Sequence, residues 1–302
     1  MGADLAAHSA AAREVFDRAD ELFGSKLSTL CFYGPEDALR ETINTQPALF
    51  VTSVAALRAL QEIGAPAPEA VAGHSIGEYA ALVAAGALTF DVGFELVVRR
   101  AHEMHRTATS AFGTMAAVLG LGSADVLSAC EEAEAATGKP VDAANYNGAG
   151  QIVISGDPDA VAKAGELAKA KGAKRVLPLN VSGAFHSRLM TPAAEAMAAV
   201  LAEANVMDAA VPVVANLTAE YETDAASIRS NLAAQIDHSV RWEETLARLL
   251  ADGFDTFVEV GSGEVLSGIL KRVAPATQRL SAATYEGVQA VGALAAPAGE
   301  GN

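Results

Sequence analysis

Residues 114–180 read TMAAVLGLGSADVLSACEEAEAATGKPVDAANYNGAGQIVISGDPDAVAKAGELAKAKGAKRVLPLN, and two periods alternate along them. TMAAVLGL, DAANYN, QIVISGD and AKRVLPLN are short strand-like runs, whereas SADVLSACEEAEA and PDAVAKAGELAKAK repeat apolar residues at helical spacing. The order is strand, helix, strand, strand, helix, strand, the βαββαβ unit of ferredoxin-like folds. Outward from it the chain returns to helices and apolar strands. Residues 3–23 suit an amphipathic helix through Leu5, Val15, Phe16 and Leu22, and QPALFVTSVAALRALQEI (46–63) predicts a buried helix opened by Pro47 and stopped at Gly64. Another helix is expected over 91–108, and VPVVANL and TFVEVGSG read as later strands. An α/β chain with a small domain inserted into a larger one accounts for this succession.

The composition supports a packed core: 302 residues, 51% hydrophobic against 19% charged. Lys and Arg number 21 against 37 Asp and Glu, a net charge of −16, the wrong sign for a nucleic-acid backbone or an anionic membrane. No nucleic-acid or membrane partner is therefore expected. Cys31 and Cys130 lie in unrelated segments without a CxxC, so neither a disulfide framework nor a thiolate metal site is indicated. The first residues, MGADLAAHSAAAREVF, hold no long apolar run, so the reading is a cytoplasmic protein without signal peptide or span.

Between a strand-like run and a helix, PAPEAVAGHSIGEYAALVAAGAL (66–88) carries Gly73-His74-Ser75-Ile76-Gly77, the G-x-S-x-G nucleophile elbow. Such a turn exposes the serine hydroxyl and sets the Ile76 amide at a helix start, where an acyl oxyanion would form. A serine that only caps a helix is the alternative reading of the same residues. A serine needs a base. His8, His102, His105 and His238 fall in polar helical stretches and read as solvated, and His74 as structural. His186 lies in an irregular stretch at an element end, where catalytic bases are often placed, though a structural histidine fits the spacing equally. Arg99 and Arg100 interrupt an apolar helix face. One of them must point inward, where a guanidinium holds a carboxylate through two parallel hydrogen bonds, unless both snorkel at the surface.

Taken in order, TQPAL (45–49), GHSIGEYAAL (73–82), the Arg100 helix, NYNGAGQIVISG (145–156), GAFHSRLM (183–190), VPVVANLTA (211–219) and FVEVGSGEVL (257–266) resemble the malonyl-CoA:acyl carrier protein transacylases of fatty-acid synthesis. The resemblance implies a large hydrolase-like α/β subdomain with a parallel sheet, over 1–113 and 182–290, a ferredoxin-like subdomain over 114–181, and a loose tail at 291–302. It makes Ser75 the acylated nucleophile, His186 its base, Arg100 the holder of the malonyl carboxylate and the main-chain carbonyl of Gln235 the group that orients His186. The Ile76 amide becomes an oxyanion donor, Phe185 narrows the pocket against methylmalonyl-CoA, and Asn147 is a further candidate. It also implies no cofactor, with malonyl-CoA and an acyl carrier protein as partners.

The second oxyanion donor of relatives, a glutamine in an amino-terminal GQGSQ, has no counterpart here. Because Met1 aligns just past that motif, the expectation is that on the order of 15 residues, a strand and a loop, are missing from the natural beginning. Alternatively Leu30-Cys31-Phe32-Tyr33 replaces the strand and Gln46 supplies the amide. Lys174, Arg175, Arg188, Lys271 and Arg272 are candidates for a basic rim that docks an acidic carrier protein. Two other readings remain at this point: a serine hydrolase or thioesterase sharing the elbow, or a non-catalytic carrier-protein docking module.

Overall fold

The computed structural model describes residues 1–295. The chain forms two compact units, one of Met1–Val98, Ala209–Val213 and residues from 252 onward, the other of Arg99–Asp208 and Val214–Ala251.

In the second unit, strands Thr114–Leu119, Val141–Gly148, Gln151–Gly156 and Arg175–Pro178 alternate with helices Ser123–Thr137 and Pro158–Ala170 in the expected succession. Taken across the sheet, the order is Val141–Gly148, Gln151–Gly156, Thr114–Leu119, Arg175–Pro178, all pairs antiparallel. Both helices cover one face, where Val118, Ile152 and Ile154 pack with Val126, Ala129, Val161 and Ala164. Met115, Ala117, Ala144 and Val153 line the other face, and Leu179 and Phe185 pack there.

The unit is larger than the 114–181 insertion expected. Val240 explains why: its N–H donates to Ala144 O at 2.9 Å and its carbonyl accepts from Tyr146 N–H at 2.9 Å, while Ser239 Oγ donates to Ala143 O at 2.6 Å. Residues 239–240 thereby close one sheet edge and bring the segment after residue 213 into this unit.

In the first unit, the single helix expected over 3–23 is two, Ala3–His8 and Ala10–Phe23. Ser9 breaks it by turning extended (φ −120°, ψ 124°), and its Oγ accepts from Ala12 N–H at 3.0 Å as an N-cap. Leu30–Tyr33 is no replacement strand. It belongs to helix Leu27–Tyr33, which buries Leu27 and Cys31 one turn apart and sets Phe32 edge-on to Phe16. Helix Thr42–Glu62 starts before Pro47, which lies inside it and removes one backbone hydrogen bond; burial of residues such as Val51, Val54 and Ala55 offsets that loss. Strands Thr256–Glu259 and Gln278–Ser281 pair in parallel.

The loose tail expected over 291–302 is ordered at its start. Helix Tyr285–Gly292, capped by Thr284, buries Val288 and Val291, and a short 3₁₀ turn follows at Ala293–Ala295; positions 296–302 lie outside the described residues. Among the described residues no helix is long and apolar enough to cross a membrane.

Candidate active site

Ser75 sits between strand Val71–Ala72, whose Val71 N–H donates to Pro212 O at 3.0 Å, and helix Gly77–Ala84. It adopts a left-handed conformation, φ +52°, which a non-glycine residue takes only under constraint. The constraint is the backbone crossing beneath it. A Cβ on Gly73 would stand 2.1 Å from the Gly77 carbonyl carbon, so no larger residue fits there, whereas a Cβ on Gly77 meets nothing within 4 Å. Of the two elbow glycines, then, Gly73 supplies the close approach. Gly77 N–H donates to His74 O at 2.9 Å, so the Ile76 amide lies ahead of the bonded turn, among the N–H groups a helix leaves without a helical acceptor. Gln46, buried within helix Thr42–Glu62, belongs to the same unit.

The second unit gathers the other candidates. His186 is buried, also left-handed (φ +58°), and its N–H donates to Ile236 O at 3.2 Å. Its Nδ1 lies 2.8 Å from the Gln235 carbonyl oxygen. A carbonyl only accepts, so Nδ1 carries the proton and Nε2 keeps the lone pair of a base. From the same Gln235, the side-chain Oε1 accepts from Arg100 Nη2 at 3.0 Å. One residue thus fastens imidazole by its main chain and guanidinium by its side chain. Arg100 is 1% exposed, while Arg99 is exposed and pairs with Glu103 at 3.1 Å, which decides between the two arginines.

Small residues let these segments approach. A Cβ on Gly183 would come within 2.6 Å of the Ala108 methyl, and one on Gly113 within 2.5 Å of the Ala184 methyl, so the stretch before His186 lies directly on the end of helix Phe90–Ser110. Phe185 rests half-buried on the sheet face opposite the two helices. Asn147, buried, falls at a register shift between Tyr146 and Gly148, the kind of bulge that re-aims a side chain.

Of the other histidines, His8 and His102 are exposed as expected and His105 is partly so. His238 is exposed but not helical; it follows helix Ala225–Ala234, with Nδ1 2.7 Å from Asp237 Oδ1. Burial pushes the Cys31 and Cys130 thiols up to about 11 and about 12, so both are inert near neutrality. No cluster of His, Cys, Asp or Glu among the described residues could hold a metal ion.

The basic rim needs one correction. Arg188 is engaged by Asp142 and Glu134 and is not a free docking cation. Lys174, Arg175, Lys271 and Arg272 are exposed.

Gln235 owes its place to helix Ala225–Ala234, since its N–H donates to Asn231 O at 2.8 Å. Asn231 Nδ2 in turn donates to Glu222 Oε2 at 2.6 Å, whereas no described residue bonds the buried Oε1. Burial pushes the Glu222 carboxyl up to about 7. Since the folded chain holds this proton more tightly than the unfolded one, stability is lost as pH rises from the ordinary carboxylate range through 7. Glu222→Gln removes that loss. Thermal unfolding should show the variant gaining on the parent by about 1–3 kcal/mol between pH 5 and pH 8; a difference that does not change with pH would refute the buried proton.

A mixed α/β fold with a strained serine at a strand-to-helix turn, a carbonyl-oriented histidine and a buried arginine defines an acyl-transfer type of protein. The acyl transferase domain model matches residues 1–290, and the chain belongs to that family. It is 46% identical over 273 residues to a malonyl CoA-acyl carrier protein transacylase of Bacillus subtilis, covering 90% of this chain and 86% of that one. The Escherichia coli K12 protein of the same name is 42% identical over 273 residues, 90% and 88% of the two chains. Among solved structures, the malonyl CoA-acyl carrier protein transacylase of Coxiella burnetii superposes with TM-score 0.93 at 37% identity, covering 97% of this chain and 92% of that one. A malonyl-transacylase in complex with its type II PKS acyl-carrier protein matches with TM-score 0.93 at 38% identity, covering 97% and 94%.

Proposed function

We infer that this protein transfers a malonyl group from malonyl-CoA to the phosphopantetheine thiol of an acyl carrier protein; relatives named malonyl CoA-acyl carrier protein transacylase support the reading. The observation that carries the reading is Gln235 holding His186 and Arg100 together, a base and a carboxylate receptor fixed by one residue. Ser75 Oγ gives its proton to His186 Nε2 and attacks the thioester carbonyl, with the Ile76 N–H stabilising the oxyanion. The carbon–sulfur bond breaks, the coenzyme thiolate takes the proton from His186, and a malonyl-Ser75 ester remains. The carrier thiol then loses its proton to His186 and attacks the ester; the bond to Ser75 Oγ breaks, His186 returns the proton to Ser75, and the carrier leaves with the malonyl group.

Arg100 holds the free carboxylate throughout, which both selects the substrate and orients the carbonyl. Phe185 forms a wall beside the base, Asn147 lines the same sheet, and Gln46, buried in the unit that carries the elbow, is the side-chain amide candidate for the oxyanion. Lys174, Arg175, Lys271 and Arg272 contribute the docking charges. No cofactor takes part, and two free cysteines fit a reducing cytoplasm. Incubation with malonyl-CoA alone should add one malonyl group, mapped by peptide mass to Ser75, and holo carrier protein should discharge it. An adduct elsewhere, or thioester hydrolysis unchanged by carrier protein, overturns the reading.

A further inference from the structure

We propose that Asp142 is a positioning residue for the base, fixing through Arg188 the backbone on which His186 sits. The inference rests on His186 being the base of the transfer, and adds to that reading a residue outside the motifs.

His186 holds a left-handed conformation without glycine's freedom, which persists only where its surroundings over-determine it. Two residues on, the carboxylate of Asp142 accepts from the Arg188 backbone N–H at 3.0 Å. The same carboxylate receives the guanidinium side-on, Nη2 donating to Oδ1 at 2.5 Å and Nε to Oδ2 at 3.2 Å and Oδ1 at 3.0 Å, while Nη1 donates to Glu134 Oε1 at 2.9 Å. An isolated exposed ion pair fixes little. This one differs because the fork is bidentate, the Asp142 side chain is only 22% exposed, and a main-chain N–H is bound with it.

The strand that presents Asp142 also holds the segment that orients the imidazole. Asp142 holds residue 188, Ala143 O accepts from Ser239 Oγ, and Ala144 O accepts from Val240 N–H. The segment so held carries the Gln235 carbonyl that meets His186 Nδ1. Three consecutive residues of one paired strand therefore set both the loop bearing the histidine and the acceptor that orients it. A shift of either by about 1 Å degrades a proton transfer up to about a hundredfold.

The test is the first half-reaction, acylation of Ser75 by malonyl-CoA without carrier protein, followed by rapid-quench mass measurement. Asp142→Ala should lower the acylation rate about 10- to 100-fold with KM for malonyl-CoA little changed. Asp142→Asn, which keeps an acceptor for the Arg188 N–H, should recover part of the rate. Arg188→Ala should also slow acylation, and Asp142→Ala combined with Arg188→Ala should be no slower than Asp142→Ala alone, since both remove one linkage. Acylation at the parental rate in Asp142→Ala overturns the proposal. So does an Arg188→Ala enzyme that acylates normally and changes only KM for carrier protein, which is the behaviour of a docking cation. Should Asp142→Ala not fold, Arg188→Ala, altered at an exposed side chain, decides by the same two readouts. Absence of any Ser75 adduct in the parent protein would instead refute the underlying assignment of the nucleophile.

Discussion

Ser75→Ala is expected to abolish the covalent malonyl-enzyme altogether, and His186→Ala to slow its formation by a factor on the order of 10² to 10⁴. The two effects differ in kind. Without the hydroxyl no ester can form, whereas without the imidazole the serine still meets the thioester but must lose its proton to water. The carbonyl of Gln235 sharpens the expectation for His186, because it fixes the proton on Nδ1 and leaves Nε2 basic in every turnover. Intact mass after exposure to malonyl-CoA separates the cases: no adduct for Ser75→Ala at any time, a slow but complete adduct for His186→Ala. A stable adduct on the Ser75→Ala protein would sink the assignment of the nucleophile, and an unslowed His186→Ala enzyme that of the base.

Arg100→Ala should strip the enzyme of its preference for a charged acyl group. Removing the guanidinium leaves the malonyl carboxylate unpaired in a buried place, at a cost of roughly 2–5 kcal/mol, which is about 30- to 5,000-fold in kcat/KM for malonyl-CoA. Acetyl-CoA, which has no carboxylate to lose, should be used as well as before or better. Gln235→Ala makes a finer distinction. It keeps the main-chain carbonyl that orients His186 and deletes the side-chain amide whose oxygen receives Arg100, so it should weaken malonyl selectivity without removing the base. Equal falls for malonyl and acetyl transfer in Arg100→Ala would make Arg100 a structural residue.

How far the sequence disclosed the protein depended on how local each signal was. The βαββαβ unit was legible because each of its elements repeats its own period over several residues, and the structure has all six in order. The apolar runs before the elbow and in VPVVANL pointed to strands, but the strands formed there, Val71–Ala72 and Val213–Val214, are only two residues long, too short for a period to fix their bounds. The break at Ser9 is a side-chain cap inside an otherwise continuous amphipathic pattern, and the run of Pro47 inside a helix is sustained by burial that no local preference records. Ser75 was legible as a motif and Gly73 as its necessary neighbour. Arg100 was half legible: the buried stripe of Phe94, Val97, Ala101 and Met104 places residue 100 on its line and residue 99 off it, so helical spacing alone could have chosen between them. The Asp142 linkage left no trace in the sequence, since its two ends are 46 residues apart and meet only once the sheet has formed.

The two edges of the four-stranded sheet have different fates. Residues 239–240 close one of them, whereas the other ends in the short strand Arg175–Pro178, with Lys174 and Arg175 exposed at its start and a proline at its end. An open edge invites a second copy to add its own strand. Here the invitation is poor, because the strand spans four residues, Pro178 has no N–H to offer, and approaching copies would bring like charges together. Lys174 and Arg175, exposed where this edge begins, and Pro178 where it ends thus work against edge-to-edge pairing of two copies.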